Sequence, residues 1–254
     1  MQGKVQSVER ALKILEVLSK SQEGLSLTDI SRKIDLHKST VYRLLNTLIQ
    51  EGYVEQNKTT HHYDTTLKLF EMGYGKIQKV DVLSVAKPYL KELMELSNEA
   101  IHLVLREGTE VIYIEKVESK NTIRMYSSIG KRSPVYCTSV GKSMMAHMED
   151  EELKNLWEAS DIKPLTEYTI TDFDVLKEEL KDVKVKGYAV DEQENELGIR
   201  CVGAPIFNHE GDVVAAVSIS GPTLRVTKKR IKDLGEAVKQ YAMRISRELG
   251  YPEQ

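Results

Sequence analysis

The stretch "LHKSTVYRLLNTLIQEGYVEQ", residues 36–56, decides the fold of the first part of the chain. Apolar side chains recur in it at the i, i+3, i+4 and i+7 spacing of one helical face, at Val41, Leu44, Leu45 and Leu48. The opposite face carries side chains that donate or accept hydrogen bonds, namely Lys38, Ser39, Thr40, Tyr42, Arg43 and Asn46. The pattern predicts a helix that packs on one side and presents a polar, basic surface on the other.

Two further helices are predicted on the amino-terminal side of this stretch. The segment "SVERALKILEVLSK" has Ser7 as its candidate N-cap and an apolar stripe at Val8, Ala11, Leu12, Leu15 and Leu18. Gly24 interrupts the chain, and "SLTDISRKI" restarts a short helix in which Ser26 and Asp29 have the spacing of a variant capping box. We expect the third helix to pack against Leu15, Leu18 and Ile30.

A β-hairpin is predicted after the three helices. Gly52 ends the third helix, and two short β-prone runs, residues 53–56 and 63–66, flank the polar segment "NKTTHH". Three helices followed by a hairpin are the order of a winged helix-turn-helix. In that fold the second helix of the helix-turn-helix enters the major groove of DNA.

The polar face of the third helix suits such a role. Arg43 and Asn46 have the forked donor and amide geometries that read guanine and adenine. The other side chains of the face, Lys38, Ser39, Thr40 and Tyr42, can hold phosphates. Spacing alone leaves an alternative open, in which the face is an ordinary solvated surface on a helical head that binds other proteins.

Composition bounds the class of protein. The 254 residues suffice for one or two domains with their own cores. Residues 1–80 carry 12 Lys and Arg against 9 Asp and Glu, whereas residues 81–254 carry 24 against 30, so a mildly basic head precedes an acidic remainder. Cys137 and Cys201 form neither a disulfide framework nor a zinc signature. Without a signal peptide or an apolar run of about 18 residues, we expect a soluble, cytoplasmic protein with no cofactor.

The remainder of the chain is predicted to be α+β. We assign residues 1–66 to the winged helix-turn-helix, residues 67–80 to a linker helix and residues 81–254 to a second domain. A helix is predicted in "LSVAKPYLKELMELS" and a hairpin in "IHLVLREGTEVIYIEKVES". Further helices are predicted at 141–148, 151–159, 174–184 and 227–249, and strands at 187–190, 201–208 and 213–220.

The segment "LTDISRKIDLHKSTVYRLLNTLIQEGYV" resembles the winged helix-turn-helix of the IclR family of bacterial transcription regulators. The likeness continues through "YDTTLKLFEMG", "NTIRMYSSIGKRSPVYCTSVGKSMMA" and "DEQENELGIRCVGAPIFNHEGDVVAAVSISGP". Within the family the chain is most similar to the KdgR branch, regulators of 2-keto-3-deoxygluconate and hexuronate catabolism. His37 departs from the pattern, because many members carry proline there, and this leaves the operator preference open. The resemblance implies a GAF-like or profilin-like antiparallel-sheet domain that binds a small organic acid and forms the contacts of a homo-oligomer, dimer or tetramer.

The family's effector loop lies at "CTSVGKSMMA". Thr138 or Ser139 is the candidate cap of the helix predicted there, with the amides of Ser139 and Val140 free. The start of a helix offers an anion several unpaired N–H groups together with the positive end of the dipole. On pattern alone, a routine capped helix is the alternative.

Four further positions match the family's pocket pattern, namely Asp191, Cys201, Ser218 and Ser220. The two serines leave the same face of a predicted strand, and either a bound hydroxy acid or a neighbouring element could be their hydrogen-bond partner. Asp191 would accept hydrogen bonds from sugar-acid hydroxyls or be an acid in a surface loop. Cys201 would form a wall of the pocket or pack in the core. Arg124 is included as a second anion contact, with an exposed strand charge as its alternative.

The hypothesis is therefore a DNA-binding transcription regulator that responds to a small organic acid, and repression is the commoner expectation for the KdgR branch. A metal or redox sensor is one alternative, with Cys137, Cys201, Asp191 and His209 as its candidate groups. An enzyme is another, with Cys137 or Cys201 as nucleophile and a histidine as base, chosen from His102, His147 and His209. No nucleophile elbow, P-loop, dinucleotide fingerprint or HExxH motif is present, so we expect no catalysis and no metal.

Overall fold

The computed structural model of the chain describes residues 5–69, 71–72, 81–119, 121 and 127–252. Contacts divide the chain into two compact units, Met1–Lys79 and Val80–Gln254, which are taken in turn below.

The first unit contains three helices and a two-stranded hairpin. Its elements are α1 (Gln6–Ser19), α2 (Leu27–Ile34), α3 (Lys38–Gln50), β1 (Val54–Gln56) and β2 (Tyr63–Thr65). The two strands are antiparallel, with Glu55 opposite Asp64. This is the order that the sequence predicts for a winged helix-turn-helix.

The predicted details of α1 need correction. The helix begins at Gln6, so Ser7 is already helical and is not the N-cap. Ile14 and Leu18 are fully buried, whereas Val8 and Leu12 are each 55% exposed. The reason is that α2 and α3 cover only the face that carries Ile14 and Leu18, and the sequence of α1 alone does not say which of its apolar side chains its neighbours reach.

Local interactions hold α2 and α3 in place. The Ser26 hydroxyl accepts a hydrogen bond from the Asp29 amide and donates one to the Asp29 carboxylate. The predicted capping box is therefore present, except that the Asp29 carboxylate accepts from the Ser26 hydroxyl instead of the Ser26 backbone N–H. The apolar face of α3 is buried with residues of α1 and α2, in a cluster of Ile14, Leu18, Ile30, Val41, Leu45 and Leu48. This packing turns the polar face of α3 outward.

The second unit is α+β. Its helices are α4 (Val82–Ser97), α5 (Ser139–Met145), α6 (Asp150–Ala159), α7 (Phe173–Lys186) and α8 (Ile231–Glu248), the last preceded by the 3-10 turn Lys228–Arg230. Its strands are β3 (Ala100–Glu107), β4 (Glu110–Val117), β5 (Arg132–Pro134), β6 (Ala189–Glu192), β7 (Ile199–Phe207) and β8 (Val213–Pro222). The strands form one antiparallel sheet in the order β5-β4-β3-β8-β7-β6.

The two faces of this sheet are covered differently. Because side chains alternate along a strand, Ile101 and Leu103 of β3 pack with α4 and α8 on one face. Val104 packs with α5, α6 and α7 on the other face, which His102 therefore shares. Near α5 the second face becomes polar, and this is where the candidate effector site lies.

Several predicted boundaries shift. The predicted helix 141–148 is α5, which begins at Ser139 and ends at Met145. The predicted strand 187–190 is β6, which begins and ends two residues later than predicted and so contains Asp191. Of the predicted linker helix, residues 68, 69, 71 and 72 are helical, and residues 70 and 73–80 lie outside the described residues, as does Arg124. In the described ranges no helix combines the length and the apolar character that crossing a bilayer requires.

Candidate functional site

The outer face of α3 presents the side chains that the sequence assigns to DNA contact. Lys38, Ser39, Tyr42 and Arg43 are exposed, while Thr40 and Asn46 are half-buried. Among the described residues, no side chain forms a hydrogen bond or ion pair with the side chains of Lys38, Arg43 or Asn46. Their donor groups are therefore available to an external partner.

Two open grooves flank α3, and Arg10 of α1 lines both. One groove, of about 570 Å³, runs between the first turns of α1 and the side of α3 that carries Arg43 and Thr47. The other, of about 500 Å³, lies at the start of α3, where Arg32 and Lys38 add charge. The sequence reasoning missed Arg10, because it treated α1 only as a scaffold for packing.

The hairpin tip is a compact, exposed turn. The side-chain oxygen of Asn57 accepts hydrogen bonds from the amides of Thr59 and Thr60, at 2.8 and 3.1 Å.

At the base of the hairpin, Gly24 has a φ of +68°, and a Cβ there would lie 2.7 Å from the carbonyl oxygen of Tyr63. Glycine is therefore required for the chain to pair with β2 at this point.

A small polar cavity lies on the second face of the sheet in the second unit. Strand register brings its floor together: His102 of β3 lies opposite Ser218 of β8, and Ser220 lies opposite Cys201 of β7, which in turn lies opposite Asp191 of β6. The lining residues are His102, Tyr113, Ser127, Lys131, Thr138, Ser139, Val140, Asp191, Asn195, Glu196, Ile199, Cys201, Ser218 and Ser220.

The start of α5 forms the roof of this cavity. Thr138 is the N-cap, and its hydroxyl accepts a hydrogen bond from the amide of Gly141 at 3.1 Å. Ser139 and Val140 are the first residues of the helix, so their N–H groups have no carbonyl within the helix to bond. A Cβ on Gly203 of β7 would lie 2.9 Å from the Val140 nitrogen, so the glycine lets the start of the helix lie directly on the sheet.

Four polar side chains form a hydrogen-bonded chain across the floor. The hydroxyls of Ser218 and Ser220 are 3.2 Å apart, and Ser220 Oγ is 3.3 Å from His102 Nδ1. His102 Nε2 is 2.8 Å from Ser127 Oγ. The two serines therefore have partners within the protein, and the ring of His102 also packs edge-on against Tyr113, with centroids 5.1 Å apart.

Burial controls the charge of His102. The side chain is only 1% exposed, and burial, with the positive charges of Lys116 and Lys131, lowers its pKa to about 3. His102 is consequently a neutral imidazole at neutral pH, with one N–H donor and one nitrogen acceptor.

Asp191 is a buried acid rather than one in a surface loop. It is 3% exposed, and one of its oxygens accepts hydrogen bonds from the amides of Glu194 and Asn195, at 2.8 and 3.4 Å. Burial, followed by the nearby Glu194 carboxylate, raises the pKa of Asp191 to about 7, while Lys142 opposes the shift. The cavity therefore contains an acid that changes charge near neutral pH.

A buried charge cluster supports the strand end that carries Asp191. Lys142 of α5 is fully buried and contacts the carboxylates of Glu179, at 2.6 Å, and Glu194. Burial lowers the pKa of the Lys142 amine, but the two carboxylates outweigh it and the net direction is upward, so this lysine stays charged. Within the described part of the chain, Oε2 of Glu194 is the buried side-chain oxygen that lacks a hydrogen-bond partner.

The two cysteines are not thiolates. Burial and the charge of Asp191 raise the pKa of both the Cys137 and the Cys201 thiol. A reactive or metal-binding cysteine needs the opposite shift. Among the described residues no group of three or more His, Cys, Asp or Glu is arranged to hold a metal ion.

The cavity is small in this conformation. Its volume of about 20 Å³ is slightly more than the roughly 10–15 Å³ that one water molecule needs. Ser127 and Lys131, from the segment between β4 and β5, border it together with the loop after β6. A ligand larger than one or two atoms can enter only when some of these bordering side chains move.

The structure brings most of the sequence-predicted effector residues to this one cavity. They are Thr138, Ser139, Val140, Asp191, Cys201, Ser218 and Ser220. Sequence reasoning did not assign His102, Tyr113, Ser127, Lys131, Asn195, Glu196 and Ile199 to it. One signal was readable for His102, since it is the polar residue within the apolar run "IHLVL", but the strand opposite it could not be read from the sequence.

Comparison with protein families gives two matches. The family described as "IclR helix-turn-helix domain" matches residues 7–58, and the family described as "Bacterial transcriptional regulator IclR C-terminal" matches residues 74–247. The first match lies within the first unit, and the second covers most of the second unit and begins six residues before it.

Individual relatives cover nearly the whole chain. The chain is 39% identical over 248 residues to the HTH-type transcriptional regulator XynR of Escherichia coli K12, covering 98% of each chain. It is 38% identical over 247 residues to KdgR of the same strain, covering 97% of this chain and 94% of that one. Among solved structures, the Agobacterium tumefaciens repressor BlcR aligns over 98% of this chain and 99% of its own, with a TM-score of 0.85 and 27% identity. The Thermotoga maritima IclR aligns over 98% and 100%, with a TM-score of 0.65 and 37% identity.

Proposed function

The chain belongs to the IclR family of bacterial transcriptional regulators and is a DNA-binding regulator rather than an enzyme, and from this premise we propose that it is a repressor which a small organic acid releases from its operator. The observation that carries the effector half of the proposal is the convergence on one cavity of the sequence-predicted effector residues, which come from four separate segments. These segments are the loop and start of α5, the strand β6, the strand β7 and the strand β8.

The outer face of α3 supports the choice of DNA-contacting residues. We propose that Arg43 and Asn46 read base edges, and that Lys38, Ser39, Thr40 and Tyr42 hold the phosphates on either side. Among the residues that the structure describes, the side chains of Lys38, Arg43 and Asn46 have no hydrogen-bond or ion-pair partner, and this favours the role because a structural ion pair would have engaged them. We further propose that two copies of the chain place two such helices in successive major grooves of a near-palindromic site.

The chemistry of the cavity supports an acid that also carries hydroxyl or keto groups. The N–H groups at the start of α5 and the ammonium group of Lys131 suit a carboxylate. The hydroxyls of Ser218 and Ser220 and the carboxyl of Asp191 suit the oxygens along a short carbon chain. On the similarity to KdgR we propose 2-keto-3-deoxygluconate or a related hexuronate catabolite as effector, and the small cavity means that lining side chains such as those of Ser127 and Lys131 must move aside to admit it.

An operator for the test can be selected from a random duplex library by the protein itself. We expect fluorescence anisotropy to report tight operator binding that 2-keto-3-deoxygluconate weakens. We also expect the same acid to raise the melting temperature of the free protein, since a ligand that binds only the folded state stabilises it. Ser218→Ala with Ser220→Ala should bind the operator normally and lose both responses.

Two results would count against the proposal. Stabilisation by divalent metal ions with no response to any sugar acid or 2-oxo acid would favour the metal-sensing alternative. An operator complex that the acid tightens rather than weakens would show that the effector is a co-repressor or that the protein is an activator.

A further inference from the structure

Four side chains on the cavity floor are joined in a row by hydrogen bonds, and together they have one more donor proton than the row uses. It links Ser218, Ser220, His102 and Ser127 through three contacts of 3.2, 3.3 and 2.8 Å. Each serine hydroxyl carries one proton, and the neutral imidazole of His102 carries one as well. Four protons serve three contacts, so when every contact has one donor and one acceptor, one proton remains for another partner. That proton is at an end of the row of side chains unless Ser220 accepts from both of its neighbours and turns its own proton to the Cys201 thiol, which is only a weak acceptor.

The direction of this chain decides what Ser218 offers to the cavity. In one direction, Ser127 donates to Nε2 of His102, Nδ1 donates to Ser220, Ser220 donates to Ser218, and Ser218 donates to a ligand oxygen. In the other direction, a ligand hydroxyl donates to Ser218, Ser218 to Ser220 and Ser220 to Nδ1, while Nε2 donates to Ser127. The two arrangements differ in which nitrogen of His102 is protonated.

We propose that the tautomer of His102 sets Ser218 as donor or acceptor, so that one cavity recognises both 2-oxo acids and 2-hydroxy acids. The inference rests on the proposed function, because it takes a small organic acid as the effector. His102 is on this view a specificity-determining residue that acts through Ser220 and Ser218. It does not need to touch the ligand.

Burial raises the free-energy cost of leaving any donor or acceptor on the cavity floor unmatched. Ser218, Ser220 and His102 are each no more than 3% exposed, so an unmatched donor or acceptor there would lack the compensation that water supplies at a surface. With Ser218 fixed as a donor, a ligand hydroxyl could accept from Ser218 but could not donate its own proton to Ser218 without leaving the Ser218 proton unmatched. Reversing the direction of all three hydrogen bonds lets the ligand hydroxyl donate to Ser218 and keeps one donor and one acceptor in each of the three contacts. Both arrangements hold four protons, so the exchange takes up or releases none.

The test compares a matched pair of probes, pyruvate and lactate, on the intact protein labelled with nitrogen-15. The pair differs at carbon 2, where one molecule has a keto oxygen and the other a hydroxyl. We expect both acids to bind, with Nδ1 of His102 protonated in the pyruvate complex and Nε2 protonated in the lactate complex. The ring signals are assigned from the spectrum of His102→Phe, and His147, which lies outside the cavity, is the internal control.

Variants separate the chain mechanism from a merely structural role. Ser220→Ala interrupts the chain and leaves the His102 ring in place, so the tautomer should become the same in both complexes. His102→Phe keeps the packing against Tyr113 but removes both nitrogens, and we expect it to weaken each acid about tenfold, the loss of roughly one hydrogen bond. Should His102→Phe not fold, the spectra of the unmodified chain and of Ser220→Ala still decide the question.

The outcomes are distinguishable. Binding of both acids with one unchanged His102 tautomer, or with a doubly protonated ring, overturns the inference and leaves the proposed effector class standing. Failure of both acids, and of the larger sugar acids, to perturb any residue of the cavity overturns the effector class and this inference together. A tautomer that changes with the probe in the unmodified chain and not in Ser220→Ala supports it.

Discussion

Single side chains of α3 are expected to carry operator recognition. Arg43→Ala combined with Asn46→Ala removes two donor groups that have no partner in the described part of the protein. A good base contact contributes about 1–3 kcal/mol, so we expect specific operator affinity to fall by tenfold or more for each residue. Binding to unrelated DNA should change much less.

The control for this prediction is Lys20→Ala. Lys20 is an exposed lysine at the end of α1, about 15 Å along the helix from Arg10 at 1.5 Å per residue. The substitution Lys20→Ala removes one positive charge from the same unit, at a position that lines neither of the two grooves beside α3. Equal losses in the control and in the α3 variants would mean that only general charge is involved, and would contradict base reading.

Asp191 should make stability depend on pH. Its pKa of about 7 lies above the ordinary 3.8, so between these values the folded state holds a proton that the unfolded chain has released. The contribution to stability is therefore present below about pH 4 and is lost as the pH rises to 7. At 1.36 kcal/mol per pKa unit the full effect is at most about 4 kcal/mol.

Asp191→Asn tests this directly. The amide oxygen can still accept from the backbone N–H groups of Glu194 and Asn195, but the side chain has no charge to bury. We expect urea unfolding to show a smaller loss of stability between pH 5 and pH 8 in the variant than in the unmodified chain. A variant destabilised equally at both pH values would mean that the Asp191 carboxylate is not the source of the dependence.

At the level of elements, the junction between α5 and the sheet depends on Gly203. A Cβ there would press on the backbone of Ser139 and Val140, so Gly203→Ala must push the start of α5 away from β7. We expect a cost of about 1–3 kcal/mol, typical of overpacking, together with loss of effector binding. Thermal unfolding and effector titration measure the two effects.

Gly108→Ala is the matched control. Gly108 has a φ of +60° in the β3–β4 turn, and a Cβ there meets nothing within 4 Å. The substitution should cost about 1 kcal/mol through backbone strain and leave effector binding unchanged. Unimpaired effector binding by Gly203→Ala would remove the start of α5 from the proposed site.

Element types were largely predictable, and element ends were not. The periodicity of α3 is strong and its termination at Gly52 is local, so its face and length follow from the sequence. By contrast, α5 begins at Ser139, two residues before the predicted start. Of the two candidate caps, Thr138 and Ser139, the structure uses Thr138, whose hydroxyl accepts a hydrogen bond from the Gly141 amide. The side of α1 that is buried depends on α2 and α3.

For the whole molecule, the proposed release of the operator by an acid requires one coupling free energy between operator binding and acid binding. If the acid weakens operator affinity by a certain factor, the operator must weaken the affinity for the acid by the same factor. We expect titration calorimetry of the acid, with and without saturating operator, to give the ratio that anisotropy gives for the operator. A ratio near one from calorimetry beside a large effect in anisotropy would contradict a single two-site equilibrium.

The sequence by itself determined the class of each part of this protein. Helical and strand periodicities, the glycine stops and the likeness to the IclR family were enough for the winged helix-turn-helix and the α+β second unit, and the likeness also supplied the candidate effector residues, whose role stays a prediction. These features are local, because a helix face or a motif is written in neighbouring residues.

Only the tertiary structure decided what joins those residues into a site. His102 and Ser218 are more than 100 positions apart, as are His102 and Ser220, and their contact exists because β3 pairs with β8 in one register. The raised pKa of Asp191 and the lowered pKa of His102 likewise come from burial beneath α5 and beside distant charges. Pairing register and burial depend on the whole folded chain, and no stretch of sequence contains either.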